Sequence, residues 1–169
     1  MTIHKIVTLP DPVLRRKAHK ITTFDKELQQ LANDMVDTMR EAPGVGLAAP
    51  QIGLPLRLIV VEFGAEEDET VPKKLYAIVN PEIVEKSDET VTGMEGCLSV
   101  PGMVGDVERH TRIVVKGLNL QGKPVKIKAI NWLARIFQHE IDHLDGIVYT
   151  DLAKRVWQPS EQEKLEIME

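Results

Sequence analysis

The stretch NWLARIFQHEIDHLDG occupies residues 131–146. It contains no proline, and its single glycine is the last residue, as is typical of a helix that ends just before it. The pattern therefore predicts a helix over residues 131–144. Its apolar residues recur near the spacing of one helical face, and they are Leu133, Ile136, Phe137, Ile141 and Leu144.

Two histidines on this predicted helix are candidate metal ligands. His139 and His143 are four residues apart, so a helix places them on one face, about 5–6 Å apart at their Cβ atoms. Glu140 follows the first histidine, and its carboxylate can act as a general base on a water at the ion. Because short patterns of this kind recur by chance, a catalytic metal site and an ordinary exposed helix both remain open at this point.

Cys97 is the only cysteine and the candidate third ligand. A free cysteine is often a small buried apolar residue, but the surrounding sequence, EGCLS at residues 95–99, favours a site because it combines polar residues with a glycine. Two imidazoles and one thiolate leave a fourth tetrahedral position for water, which is typical of catalytic rather than structural metal sites.

The segment GVGLAAPQ, residues 44–51, is the third unusual feature. Two glycines favour a flexible loop, yet the apolar centre of the segment is more typical of packed chain. We therefore expect it to be packed, so that the side chain of Gln51 can donate an amide proton inside a site.

Weaker patterns predict the remaining elements. Residues 25–40 have the apolar spacing of a helix. Asp11 followed by Pro12 predicts a short N-terminal helix, and Ser160 with Glu163 predicts a capped C-terminal one. Strand-forming composition predicts strands at residues 56–61, 75–79, 112–116 and 125–128, and the acidic run at residues 66–69 is expected to be a solvated loop.

Together these elements favour an α+β fold with antiparallel or mixed β-sheets packed around a central metal-binding helix. An N-terminal helical segment and a short C-terminal helix complete it. With 169 residues, of which 43% are hydrophobic, a single catalytic domain over residues 1–169 is expected.

Composition excludes several classes of partner. A net charge of -5 disfavours nucleic acid as a direct ligand. No apolar stretch approaches the roughly 20 residues that a membrane span needs, so no membrane association is expected. A single cysteine cannot form an internal disulfide, which favours a reducing compartment, and the cytoplasm is the simplest location.

Taken together, GVGLAAPQ (44–51), EGCLS (95–99) and QHEIDHLDG (138–146) resemble the compact bacterial type of peptide deformylase. The resemblance implies a metal-dependent hydrolase that removes the formyl group from the N-terminal formylmethionine of nascent polypeptides and releases formate. It implies one divalent ion held by Cys97, His139 and His143, with Fe(II) as the native ion and zinc, nickel or cobalt as alternatives.

The resemblance also implies roles for other residues. Glu140 would transfer the proton, and the Gln51 amide and the Leu98 backbone N–H would stabilise the oxyanion. The substrate would lie along the protein like an added strand. Trp132 stands where the family usually has a smaller aliphatic residue. The residues expected to bind substrate are Gly44, Val45, Gly46, Gly96, Trp132 and Ile136.

A further hypothesis is that Glu95 supports a ligand from outside the coordination sphere, tied to a basic partner for which Arg109 is the candidate. The tail after Pro159 is acidic, whereas some relatives carry a longer basic helix there, so it gives no support to ribosome association. The tail carries Glu161, Glu163, Glu166 and Glu169 against Lys164.

Two alternative functions remain open on the sequence. A small metallopeptidase would use the same two-histidine helix, but it would need a third histidine or glutamate ligand downstream, where only the acidic tail lies. A binding module with a structural metal would need four protein ligands. The other histidines are isolated and are expected at the surface or at helix caps; they are His4, His19 and His110.

Overall fold

The computed structural model describes residues 2–64 and 72–166, so the acidic run at residues 66–69 lies outside the described residues. The helices are α1 (Lys26–Glu41), α2 (Asn131–Leu144), α3 (Tyr149–Leu152) and α4 (Glu161–Glu166), with 3-10 helices at Pro12–Arg15 and Ala49–Ile52. The strands are β1 (Gly46–Ala48), β2 (Leu58–Phe63), β3 (Lys74–Lys86), β4 (Thr90–Cys97), β5 (Val100–His110), β6 (Arg112–Leu118), β7 (Pro124–Ile130) and β8 (Arg155–Trp157).

The predicted helices are present because their local signals agree with their packing. α1 starts after Asp25, whose carboxylate accepts the backbone N–H of Leu28 at 3.0 Å. The predicted helix at residues 131–144 coincides with α2. Gly146, just beyond α2, has a φ of +76°, and a Cβ there would lie 2.5 Å from the carbonyl oxygen of Arg15. A glycine is therefore required where the chain leaves the helix.

The strands form two antiparallel sheets. The larger sheet has the order β1-β2-β3-β6-β7, and the smaller has the order β4-β5-β8. Each predicted strand lies within or overlaps β2, β3, β6 or β7, but the short strands β1 and β8 and the long strands β4 and β5 were not predicted. Glycines at 93, 96, 102 and 105 weaken the strand signal of residues 90–110. Pairing between the two strands stabilises what local propensity does not.

Helix α2 contacts both sheets, which places the predicted metal motif at the centre of the fold. Its apolar face packs on the larger sheet, where Phe137 and Ile141 share a core with Ile59 and Val115. The predicted α+β class, with sheets around a central helix, is confirmed. No helix among residues 2–64 and 72–166 is long and apolar enough to cross a membrane.

Candidate metal centre

The three predicted metal ligands meet at one point between α2 and the end of β4. One ligand atom from each of Cys97, His139 and His143 can be chosen so that all lie within 4.8 Å of one another. The Cys97 Sγ lies 3.4 Å from Nε2 of His143, and the two imidazole centroids are 5.1 Å apart. All three side chains are buried. Among the residues that the structure describes, this is the one group with such a geometry.

The two imidazoles differ in pKa and in hydrogen bonding, and both properties affect how each could bind a metal. Burial and the neighbouring His139 lower the pKa of His143 well below its ordinary value, which keeps that ring neutral with a lone pair available. Burial lowers the pKa of His139 as well, but hydrogen bonds with Cys97 and Glu95 outweigh it and raise that pKa. Nδ1 of His139 is bonded to Oε1 of Glu95 at 2.9 Å, which leaves Nε2 for a metal. One thiol and two imidazoles suit a borderline divalent ion such as iron or zinc.

Glu95 contacts His139 on the Nδ1 side of the ring and is the carboxylate shared by a buried ionic cluster. Arg109 donates to it through two nitrogens, Nε to Oε2 and Nη2 to Oε1, both at 2.9 Å. Arg135 donates Nη1 to the same Oε2 at 2.6 Å. Burial alone would raise the pKa of Glu95, but Arg109 and His139 hold it well below its ordinary value. The predicted Glu95–Arg109 contact is therefore present, within a larger cluster than the sequence indicated.

Sequence reasoning missed three members of this region. Arg135 and Asp142 lie on α2, and the second accepts Nη1 of Arg109 at 2.6 Å. Gln138 is bonded to both the backbone N–H and the carbonyl of His110, which holds the end of β5 against α2. One signal was available in the sequence, because Arg135 lies one helical turn before His139 and thus on the same face.

Glu140 follows His139 on α2, and its carboxylate lies against β1 at Gly46. Burial raises its pKa to about 7, although the charge of His139 acts in the opposite direction. Among the described residues Oε1 of Glu140 has no hydrogen-bond partner. A carboxylate with such a pKa is suited to accept and return a proton near neutral pH.

Gly46 makes room for this carboxylate. A Cβ at residue 46 would lie 2.5 Å from Oε2 of Glu140 and 2.9 Å from its Cγ and Cδ. The sequence led us to expect that Gly46 admits the substrate backbone. The structure adds a separate reason for glycine at this position.

We therefore expect Gly46→Ala to lower kcat by roughly 100-fold, since a displacement of about 1 Å of a catalytic group has an effect of that order. Metal content and kcat would be measured together. Gly117→Ala is the matched control, because its Cβ would meet Cγ2 of Ile78 at 2.6 Å, a similar clash within a strand. It should lower the Tm and leave kcat unchanged. An alanine variant at 46 with normal kcat would contradict the role of Gly46.

Gln51 and Leu98 flank the cysteine. Gln51 is buried, its Oε1 accepts the backbone N–H of Ala48 at 3.0 Å, and its Nε2 donates to Cys97 Sγ at 3.5 Å and to Ser99 Oγ at 3.2 Å. The predicted amide donor thus points at Cys97, one of the three candidate metal ligands. Leu98 follows Cys97 in the turn between β4 and β5.

The residues predicted to bind substrate are only partly brought together. Val45, Trp132 and Ile136 line one narrow pocket beside the metal ligands. Gly44 instead follows α1, where its N–H is bonded to the carbonyl of Met39 at 2.8 Å, and Gly96 is buried in β4. The other residues that line the pocket are Glu95, Arg135, His139 and Glu140.

A family model for polypeptide deformylases matches residues 3–158. The chain belongs to the peptide deformylase family. It is 50% identical over 161 residues to the peptide deformylase of Natranaerobius thermophilus, covering 95% of this chain and 99% of that one. It is 46% identical over 166 residues to peptide deformylase 1 of Bacillus subtilis, covering 98% of this chain and 99% of that one.

Solved structures of the family agree with the fold. The peptide deformylase of Thermotoga maritima superposes with a TM-score of 0.85 at 39% identity, covering 92% of this chain and all of that one (100%). The family resemblance drawn from the three motifs is confirmed, and this member of the deformylase family is a metal-dependent hydrolase that removes formyl groups from nascent peptides. Neither a metallopeptidase nor a structural-metal module is supported, because the third side chain of the group that could hold a metal is Cys97, and that group has three members among the described residues.

Proposed function

We propose that the chain hydrolyses the formyl group of N-formylmethionyl peptides at the centre formed by Cys97, His139 and His143, with Glu140 as the proton-transfer residue. The observation that carries this proposal is the position of Glu140, a buried carboxylate with a raised pKa that follows His139, one of three converging metal-type donors. A second catalytic carboxylate is not needed, because one group that accepts and then returns the proton serves both halves of an amide hydrolysis.

Cys97, His139 and His143 would hold one divalent ion, which we propose to be Fe(II) in the native enzyme, with zinc, nickel or cobalt as substitutes. When bound, such an ion acts as a Lewis acid that polarises the formyl oxygen and lowers the pKa of a nearby water. The protein holds the donors in place through Glu95, which orients the ring of His139 by the bond to Nδ1.

Glu140 accepts the proton of the attacking water as the carbon–oxygen bond forms. It then donates that proton to the amide nitrogen as the carbon–nitrogen bond breaks, so that formate and a free amine leave. The raised pKa of this carboxyl group suits both steps, because a group near neutrality exchanges its proton readily in either direction.

Negative charge develops on the formyl oxygen in the transition state. The Nε2 amide of Gln51 and, as in the family, the backbone N–H of Leu98 are the donors that we assign to it. Gln51 is preorganised, since its other amide atom is bonded to the backbone N–H of Ala48. The N–H of Gln51 that is directed at Cys97 Sγ, at 3.5 Å, is the one that would turn to the formyl oxygen, while the other keeps its bond to Ser99 Oγ.

Gln51→Leu is expected to lower kcat about 100- to 1000-fold, the usual effect of removing one oxyanion donor. It should also lower the free energy of unfolding by about 1–3 kcal/mol, because the buried N–H of Ala48 loses its acceptor. Steady-state kinetics and urea unfolding separate the two effects. The control is Gln121→Leu, a change of the same chemistry at an exposed turn. Normal kcat in the folded Gln51 variant would remove this residue from the mechanism.

The substrate that we propose is a nascent peptide laid along the protein as an added strand, close to Gly44, Gly46 and Gly96. Its methionine side chain would enter the apolar pocket formed with Val45, Trp132 and Ile136, where a flexible thioether packs readily. We propose no direct contact with nucleic acid, in keeping with the net charge of -5.

We further propose the cytoplasm as the site of action, in keeping with one free, buried cysteine and a substrate made there. The tail offers little to an anionic partner such as the ribosome, because Glu161 and Glu163 of α4 are acidic and Lys164 is already paired with Glu161 at 3.0 Å. We therefore propose no ribosome docking through the tail.

One experiment tests the function directly. The protein is loaded with Fe(II) or Ni(II) and incubated with formylated and unformylated methionyl peptides, and formate and new amine are measured. Formate and amine in equal amounts from the formylated peptide, with no reaction of the other, is the expected result. Cleavage of internal peptide bonds without formate, or no reaction in folded protein that contains metal, would refute the proposal.

A further inference from the structure

Arg135 is a buried, charged residue that lines the pocket and has no role in the catalytic scheme above. It lies on α2, one turn before His139, and its side chain is only 5% exposed. Nη1 donates to Oε2 of Glu95 at 2.6 Å and to the carbonyl of Val107 at 2.9 Å, while Nη2 donates to the carbonyl of Val91 at 2.8 Å. The guanidinium therefore joins α2 to both β4 and β5.

The surrounding backbone is shaped to hold this group. A Cβ on Gly93 would lie 2.9 Å from both Cζ and Nη2 of Arg135, so the strand has a glycine where the guanidinium rests. On another side, the ring of Trp132 lies with its centroid 5.3 Å from Cζ, a distance typical of a cation–π contact. Arg135 is thus held in one position by three acceptors, a glycine and an aromatic ring.

The same residue is part of the wall of the side-chain pocket. Trp132 and Arg135 both line it, together with His139 and Glu95. A side chain that enters this pocket would contact Trp132, whose ring lies over the guanidinium, and Arg135 itself, so it bears on the Arg135–Glu95 ion pair through packing. Glu95 in turn is bonded to Nδ1 of His139 at 2.9 Å.

We propose that Arg135 is a positioning residue that couples the side-chain pocket to the metal centre. Arg135 lies in the pocket wall that the substrate side chain contacts, and it holds Glu95, which in turn holds the ring of His139. This inference rests on the proposed function. It goes beyond that function in stating that the side chain of the first residue affects the rate of the chemical step as well as binding. Because Arg109 also holds Glu95, but from outside the pocket, the coupling belongs to Arg135.

The test compares formyl-methionyl and formyl-glycyl peptides, since the second leaves the pocket empty. In the wild type the preference for methionine should appear in kcat as well as in KM. Arg135→Met keeps an apolar chain in the wall but makes none of the three hydrogen bonds. In this variant the kcat for the methionyl peptide divided by the kcat for the glycyl peptide should fall about tenfold or more. The glycyl peptide should be affected much less than the methionyl one.

Arg155→Met is the matched control, because Arg155 also lies over a tryptophan, 4.1 Å from the ring centroid of Trp157, but its side chain is 70% exposed on β8. This variant should keep the wild-type ratio. If Arg135→Met proves unstable by its Tm, Arg135→Lys is used, which retains a charge near Glu95 but cannot reach three acceptors at once. The ratio should fall there as well.

Equal losses with both peptides, leaving the kcat ratio unchanged, would show that Arg135 is only structural and would overturn the proposal. A wild-type preference that lies wholly in KM would overturn it too. Failure of the wild type to release formate from either peptide is a different outcome, since it refutes the proposed function on which this inference rests.

Discussion

Glu140→Gln is expected to lower kcat for formate release about 100- to 10,000-fold while the metal stays bound. Glutamine has nearly the same shape as glutamate but cannot accept and return a proton. The Tm should not fall, because the substitution removes a charge that burial disfavours, as the raised pKa of Glu140 shows. Activity and stability are thus expected to respond differently to this change.

The measurement needs kcat, metal content and Tm on the same preparation. Glu82→Gln is the matched control, since Glu82 is exposed on β3 and the change of charge is identical. It should leave all three quantities unaltered. Retention of kcat within a few-fold in metal-loaded Glu140→Gln would mean that another group transfers the proton, and loss of the metal would mean that Glu140 acts as a ligand.

Glu95→Ala is expected to lower the free energy of unfolding by about 3–5 kcal/mol, because it leaves two buried arginines without their shared carboxylate. Both Arg109 and Arg135 are almost wholly buried and cannot reach water. The remaining positive charge would also lie directly behind His139, where it repels a divalent cation. We therefore expect weaker metal binding as well as lower stability.

Urea unfolding and metal titration test this prediction. Glu62→Ala is the matched control: Glu62 also binds an arginine through two oxygens, at 3.0 and 2.6 Å, but its partner Arg40 is half-exposed. Removing an exposed pair of this kind has an effect of about 1 kcal/mol or less. Full stability, metal affinity and activity in Glu95→Ala would refute the supporting role of Glu95.

Local patterns in the sequence were enough to predict helix α2, which carries His139, Glu140 and His143. α2 has the predicted bounds because apolar spacing and the glycine at 146 act within a few residues of each other. Similarly, Ser160 and Glu163 form the predicted reciprocal cap, with both backbone hydrogen bonds present. Such signals need no knowledge of the rest of the chain.

The two long strands β4 and β5 could not be predicted in this way. Their glycines, including Gly93 and Gly105, lower the propensity for extended structure, and the strands are stabilised by pairing with each other and with β8. Gly93 makes room for Arg135, since a Cβ there would lie 2.9 Å from the guanidinium carbon. Gly105 packs against α3 and β8, where a Cβ would lie about 3 Å from atoms of Tyr149 and Arg155. The glycines that weaken the strand signal in the sequence are thus required by tertiary packing.

The metal centre combines both kinds of information. Spacing made His139 and His143 candidate ligands, with Glu140 between them, because a helix brings residues four apart to one face, but it left an ordinary exposed helix open as well. Cys97 was selected as the one available thiol, in a stretch whose polar residues and glycine favour a site. Its meeting with His143, 46 residues away, is decided by the tertiary fold, as is the bond between Glu95 and Arg135, 40 residues apart. The physical reason is that helical periodicity acts over a few residues, whereas ion pairs and packing join any residues that the fold makes neighbours.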